Sequence, residues 1–394
     1  MKVLFICSLY YPHAGGIETI IREMSSLYIK KGIEVNVLTK RWPINLPEFE
    51  EYEGVKIHRI ISAKIKNEFL SNIEFFKKNN DSLKSDIIHV IGVRRPLPLL
   101  AFILSRYWKA PLVISISGGD IPDPLDPQPR RIWSISKEIV EPVIIRSDWI
   151  NTFSKDLVKL TKNTIPELSN ISLIYAGLDL EKIRKIRKYQ SKQPYILSLR
   201  RLDPSKGVDI TVKAFAKISK KNINIKLIIV GDGTERKKLE SLVGKLKIKN
   251  RVEFTGKLSL GKSLSLLKGA LLTVVPSISE GGGLINLEAQ ACRCPLIASR
   301  VGGIPEYARE NYSALMFKIG DVNELANKIE LVINDKSLRH QLILNGRKYV
   351  KKFSWDNILD KYLKGYKNLL TKKINYSFQP WSNLSNDLWK KINL

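Results

Sequence analysis

The sequence is poor in the residues that build redox and metal chemistry: its 394 residues hold three cysteines, four histidines and three methionines. Cys7, Cys292 and Cys294 sit in apolar contexts, which excludes a disulfide framework and leads us to expect buried thiols in a reducing compartment. Cys292 and Cys294 lack a second pair of ligands, so they do not read as a zinc site. Acidic residues are also scarce, 38 against 66 Lys and Arg, for a formal net charge of +28. About +8 falls in residues 1–190 (29 basic less 21 acidic) and about +20 in 191–394 (37 less 17). Such a surface attracts nucleic acid, anionic headgroups or phosphorylated substrates, or simply keeps the chain soluble. No apolar run reaches membrane-spanning length; the longest, Leu97 to Leu104, contains Pro98. The apolar start, Met1 to Cys7, lacks a small-residue cleavage site and is read as a first strand rather than a signal peptide.

What the chain does have is alternation. Val3–Cys7 is a continuous apolar run, and Ile17, Ile20, Ile21, Met24, Leu27 and Tyr28 mark one face of a helix from about Ile17 to Lys31. Further strands are expected at Ile33–Leu38, Ile87–Val90, Leu112–Ile116, Trp149–Phe153 and Ser172–Tyr175. A short basic helix and linker, Glu181–Pro194, precedes a restart of the pattern. Tyr195–Leu199, Ile225–Val230, Val252–Thr255, Leu271–Val275 and Leu296–Ala298 then read as strands, separated by helices at Val208–Ser219, after Gly233, at Ser259–Ala270 and at Leu284–Cys292. Strands alternating with helices imply parallel, doubly wound α/β sheets, hence two Rossmann-like domains facing a cleft. Ligands of such sheets bind at the carboxyl ends of the strands.

The glycine-rich stretches fall at such ends. Gly15 and Gly16 follow the first strand, where a tight turn explains them as well as an anion site does. They do not form the spaced Gly-x-Gly-x-x-Gly fingerprint, and no acidic residue closes the second strand, so a dinucleotide cofactor is not indicated. Arg201 and Lys206 flank a Pro-containing turn after Leu199 and can clamp a diphosphate. Gly231 and Gly233 follow Val230. Glu280 and Glu288 bracket Gly281, Gly282 and Gly283, just before the helix that begins at Leu284. A strand, a glycine loop and a helix N-terminus expose bare N–H groups to a phosphate, and two carboxylates beside them suit hydroxyls.

Taken in order, Gly15–Glu18, Asp86–His89, Arg201–Gly207, Val230–Gly233, the Glu280/Glu288 pair, Val301–Glu306 and Phe353–Trp355 resemble the GT-B glycosyltransferases of family 4. The resemblance extends to about residue 370. It implies a GT-B fold with an N-terminal acceptor domain (1–185), a C-terminal nucleotide-sugar domain (193–355), and a C-terminal helix crossing back to the first domain with an amphipathic tail (356–394). It also implies a retaining, metal-independent transfer from a UDP- or GDP-sugar, the nucleotide sugar being a co-substrate rather than a cofactor.

In that reading Arg201 and Lys206 hold the diphosphate, helped by Gly15, Gly16, Gly231, Gly282, Gly283 and the Leu284 backbone. Glu280 meets the sugar hydroxyls and Glu288 the ribose. Ser117, Gly118, Gly119 and Asp120 lie on the acceptor side, and Asp120 carries contacts that a histidine makes in relatives, because Ser117 stands at that position. Arg200 and Gly282 stand where glycine and phenylalanine are usual. Arg293 replaces a glycine, from which a different helix end is expected.

His89, at the end of a buried strand, is read as structural rather than catalytic. The Pro-rich stretch Ile121–Pro129 either shapes the acceptor site or is a surface crossover. Two basic amphipathic segments either cover their own domain's sheet, the reading preferred for the first, or meet an anionic membrane: the first carries Ile65, Phe69, Ile73 and Phe76, the second Leu384, Leu388, Trp389 and Ile392. Acceptors of the glycan, polyprenyl-linked or phospholipid-linked kind are therefore expected. A same-fold epimerase and a basic nucleic-acid- or membrane-binding scaffold are the competing readings. No nucleic-acid-binding module is present, so specific nucleic-acid binding is not expected.

Overall fold

The computed structural model describes residues 1–13, 15–61, 75–76, 78–94, 97–127, 131–221, 224–372, 374 and 376. Two sheets organise the chain. The first has eight strands: β1 Lys2–Ile6, β2 Glu34–Lys40, β3 Phe49–Tyr52, β4 Val55–Ile60, β5 Ile87–Ile91, β6 Leu112–Ile116, β7 Trp149–Thr152 and β8 Ile171–Leu173. Their spatial order is β3-β4-β2-β1-β5-β6-β7-β8, parallel throughout except for the β3–β4 hairpin. The second has β9 Tyr195–Leu199, β10 Lys226–Val230, β11 Val252–Gly256, β12 Leu272–Val275, β13 Leu296–Ser299 and β14 Leu315–Phe317. Its order is β11-β10-β9-β12-β13-β14, and every pair is parallel. Central strands such as Val3–Ile6 and Leu296–Ser299 are buried on both faces, which is why they read as unbroken apolar runs rather than alternating ones.

The strands expected from sequence agree with those observed to within two residues at each end. The β3–β4 hairpin and β14 escaped the pattern. The hairpin's first strand, Phe49–Tyr52, is mostly exposed and acidic, and it pairs through a turn at Glu53–Gly54 in which both residues have positive φ. β14 is three residues long, too short for periodicity to declare it.

The helices that matter for the site are α1 (Gly16–Lys30), α2 (Lys155–Thr164), α3 (Leu284–Ala291) and α4 (Trp355–Thr371). In both sheets the strand order reverses once at the centre, between β1 and β5 and between β9 and β12. Loops on either side of such a reversal leave in opposite directions and open a crevice, the usual ligand position of this architecture. The loops after β9 and β12 carry Arg200–Gly207 and Pro276–Gly283.

After the second sheet the chain returns to the first. Tyr362 and Tyr366 of α4 are fully buried against Tyr28, His89 and Trp149. His89 meets Tyr366 Oη at 2.6 Å through Nδ1 and Ser115 Oγ at 2.7 Å through Nε2. Burial pushes the His89 imidazole down to about 3, so it is neutral and structural. Phe76 packs against the core of the first domain. Ile65, Phe69, Ile73, Leu384, Leu388, Trp389 and Ile392 lie outside the described residues. Among the described residues, no helix is long and apolar enough to cross a membrane.

Candidate active site

The second domain builds its half of the site from two loops locked together. Gly207 has φ 60°, and a Cβ there would fall 2.2 Å from the Pro276 carbonyl oxygen, so only glycine lets the two loops touch. The Ser205 carbonyl accepts the Ile278 and Ser279 N–H groups at 2.9 and 3.3 Å. The Glu280 carbonyl accepts the Gly303 N–H at 3.0 Å. Glu280 is thereby pinned through its backbone before its side chain makes any contact.

Its carboxylate is mostly buried and shares one oxygen, Oε2, among three donors. Lys206 Nζ lies at 3.1 Å, Ser277 Oγ at 3.2 Å, and the Arg200 guanidinium also donates to it. Arg200 in addition donates to Ser277 Oγ at 2.7 Å. Burial by itself would raise the Glu280 carboxyl; the charges of Lys206 and Arg200 and their hydrogen bonds overcome it and hold the group down at about 2. Burial lowers Lys206 from its ordinary value, against the opposing pull of Glu280.

Glu288, on the second turn of α3, is pushed up to about 7 by burial and by the charge of Glu23 from the other domain, with Arg200 opposing. No hydrogen bond of its side chain is seen among the described residues. Its carboxyl is thus free for hydroxyls and is about half ionised near pH 7. Gly283, in a left-handed conformation, starts α3, and Leu284 approaches Gly16 at the start of α1. The two helix N-termini therefore meet across the cleft.

The first domain closes on this loop. A Cβ on Gly118 would lie 3.0 Å from Gly281 N, and one on Gly281 would lie 2.6 Å from Gly118 Cα, so the domains touch backbone to backbone. Ser154 Oγ donates to the Gly281 carbonyl at 2.5 Å, and Ser279 Oγ donates to Asp123. Glu306 reaches the other way: its carboxylate accepts the Lys155 and Asp156 N–H groups at the start of α2, at 2.9 and 3.2 Å, and the Tyr175 hydroxyl at 3.0 Å. The cleft between the domains is lined by Gly118, Gly119, Asp123, Asp156, Arg201, Lys206, Ser279, Glu280 and Gly281.

Four of the expected positions have surroundings that the sequence did not show. Arg201 does line the cleft, but its side chain is 59% exposed and pairs with Asp203 at 3.2 Å, whereas the Arg200 side chain, 7% exposed, is the arginine on Glu280. Asp120 is buried, its Oδ2 accepting from Ser117 N at 2.8 Å and Ser117 Oγ at 2.6 Å. Burial raises its carboxyl, against those bonds. Gly231 lies under the Arg200 carbonyl, where a Cβ would fall 1.8 Å from that oxygen. The helix end at Arg293 does not differ from the glycine form. Arg293 itself takes φ 59°, and the bonds Arg293 N to Gln290 O (3.1 Å) and Cys294 N to Ala289 O (2.9 Å) complete a normal left-handed helix stop.

Gly282 faces the Tyr307 ring, which would lie 3.1 Å from a Cβ at 282. Tyr307 in turn donates to the Phe153 carbonyl at 2.6 Å, across the domains. Asp123, Ser154 and Tyr307 were not singled out by the sequence, because their partners lie more than a hundred residues away. No group of three acidic, His or Cys side chains able to hold a metal occurs among the described residues.

Comparison with known proteins agrees with this geometry. Residues 14–182 match the model of Glycosyltransferase Family 4, and residues 179–349 that of Glycosyl transferases group 1. An uncharacterized glycosyltransferase of Methanocaldococcus jannaschii is 30% identical over 94% of this chain and 99% of its own. Sucrose-phosphate synthase from Thermosynechococcus elongatus superposes with a TM-score of 0.78 at 22% identity, covering 94% of this chain and 99% of that one. Anabaena HepE, solved in complex with UDP-glucose, gives 0.72 at 18% identity, covering 93% and 100%. The chain is a glycosyltransferase of group 1, family 4, with the two-domain GT-B fold.

Proposed function

We propose that the protein transfers a hexose-type sugar from a UDP- or GDP-sugar to a hydroxyl of a glycan or lipid-linked acceptor, with retention of anomeric configuration. The observation that carries this is the buried Lys206–Glu280 pair, opposite the start of α1 at the central reversal of the second sheet. When the bond between the anomeric carbon and the diphosphate breaks, negative charge grows on the leaving oxygen. Lys206 and Arg201 receive that charge, and the N–H groups at the starts of α1 and α3 add to them. Cations already in place perform the neutralisation that a divalent ion performs elsewhere, so the reaction runs in the presence of a chelator. Glu280 orients the sugar hydroxyls and Glu288 the ribose.

The acceptor hydroxyl enters from the side of Gly118 and Gly119 and attacks on the face the diphosphate leaves. Its proton passes to the departing phosphate oxygen, so no carboxylate nucleophile is needed. A neighbour of the same fold holding UDP-glucose supports the donor class. The net charge of +28 favours an acceptor presented at an anionic membrane surface.

The test is calorimetric titration with UDP and GDP, followed by turnover with the corresponding nucleotide sugars. Lys206→Ala weakens diphosphate binding by tenfold or more, and Glu280→Gln removes at least nine-tenths of turnover while leaving nucleotide affinity within about threefold. Full activity of Glu280→Gln refutes the assignment.

A further inference from the structure

Arg200 occupies a position where the family resemblance has glycine, and the structure gives it a part that the motif does not contain. It is the first residue after β9, and its N–H donates to the Val230 carbonyl at 3.0 Å. Side chains alternate at a strand end, so Arg200 and Arg201 face opposite ways. Arg201 goes to the cleft mouth and Arg200 into the protein, with 7% of its side chain exposed.

There it bridges Ser277 and Glu280, and the Ser277 hydroxyl donates a hydrogen bond to the same carboxylate oxygen. All three donors, Arg200, Lys206 and Ser277, converge on Oε2. No hydrogen bond to Oε1 is seen among the described residues, and Glu280 lines the cleft. Arg200 Nε is buried without a partner, so the guanidinium is held by its contacts at one end only.

We propose that Arg200 is the positioning residue of the donor-sugar subsite: it fixes Glu280 by Oε2 and leaves Oε1 to accept a sugar hydroxyl. The inference rests on the nucleotide-sugar reading above. The arrangement also releases Lys206. A carboxylate held by lysine alone would be left uncompensated in a buried site when the lysine turned to an arriving diphosphate. With Arg200 in place, Glu280 stays paired and Lys206 is free to serve the phosphate. The nucleotide diphosphate and the sugar are thus read by separate cations.

The experiment uses the full chain, as wild type, Arg200→Met and Arg200→Lys. Calorimetry with UDP, GDP, UDP-glucose and GDP-mannose measures how much the sugar adds to nucleotide affinity. In Arg200→Met the nucleotide diphosphate constants stay within about threefold of wild type, while the nucleotide-sugar constant weakens by tenfold or more. That loss deepens as pH falls towards the ordinary carboxylate range, and Arg200→Lys restores most of it. Weakening of the diphosphate itself by tenfold would make Arg200 a phosphate ligand and overturn the proposal, as would an unchanged nucleotide-sugar constant.

A ligand-free measurement separates this from the donor assignment. Carbodiimide reacts with protonated carboxyls, so labelling of Glu280 at about pH 5, read by peptide mass spectrometry, rises several-fold in Arg200→Met. Unchanged labelling overturns the hold on Glu280. Raised labelling in a protein that binds none of the four nucleotides supports the hold and refutes the donor assignment instead.

Discussion

Glu23 lies on α1 with 7% of its surface exposed, and its Oε2 accepts the indole N–H of Trp355 at 2.6 Å. Burial pushes its carboxyl from 4.5 to about 7; the Trp355 bond pulls it down, Asp179 pushes it further up, and Lys182 and Arg22 oppose. Across the cleft it is also the main charged neighbour raising Glu288. Glu23→Gln keeps an oxygen for the indole and removes the ionisation.

The sign follows from linkage. A carboxyl raised in the folded state is matched by a protonated unfolded chain below about pH 4.5. As pH climbs, the unfolded chain ionises first, and stability falls until about pH 7. The rise from 4.5 to about 7 corresponds to about 3 kcal/mol. The new amide N–H group costs about 1 kcal/mol if it finds no partner. Glu23→Gln therefore stabilises the protein by about 2 kcal/mol at pH 8.5 and leaves it unchanged or slightly weaker near pH 4.5. Urea unfolding of both proteins at three pH values between these limits measures it. A difference that does not vary with pH, or a loss at pH 8.5, refutes the reasoning. A second readout comes from Glu288. With Glu23 neutral its carboxyl ionises at lower pH, and the pH at which nucleotide binding is half lost moves down with it.

Arg293→Gly removes a side chain from a left-handed position and stabilises the protein by about 0.5–1 kcal/mol, read as a rise in the urea midpoint at constant slope. Glu306→Ala removes three bonds between the domains, two to the start of α2 and one to Tyr175. It loosens closure, so the radius of gyration by small-angle scattering rises and the 186–194 linker is cleaved faster by trypsin, while far-ultraviolet circular dichroism is unchanged. Gly177→Ala drives a methyl to within 2.5 Å of the Trp355 ring, and destabilises by several kcal/mol or forces that ring out of place; a melting temperature equal to wild type would show that the ring yields freely.

Much of the fold was legible because parallel strands buried on both faces announce themselves as short apolar runs. The loops at their carboxyl ends then located Lys206, Glu280 and Glu288 without any contact being known. The sequence did not reveal which of two adjacent arginines turns inward. Strand alternation allows only one, but its phase depends on where β9 stops. Nor did the sequence show that Asp120 is bonded to the Ser117 turn. The closure bonds, Ser279 to Asp123, Glu306 to Tyr175 and the start of α2, and Tyr307 to Phe153, join residues 131 to 156 positions apart, and no local pattern encodes them.

The return of α4 to the first sheet has a consequence for how the chain is made. Tyr362 and Tyr366 cover His89 and Tyr28, and the absence of a side chain at Gly365 leaves room for the Trp149 ring, where a Cβ would lie 2.3 Å from the nearest ring carbon. On a ribosome, residue 371 emerges long after residue 185, an interval on the order of ten to forty seconds at ordinary elongation rates. Throughout that interval the second domain can complete its own sheet, while the earlier domain waits with an aromatic face bare to solvent. The half of the enzyme synthesised first is finished last, and its nascent form is the one that needs shielding from aggregation.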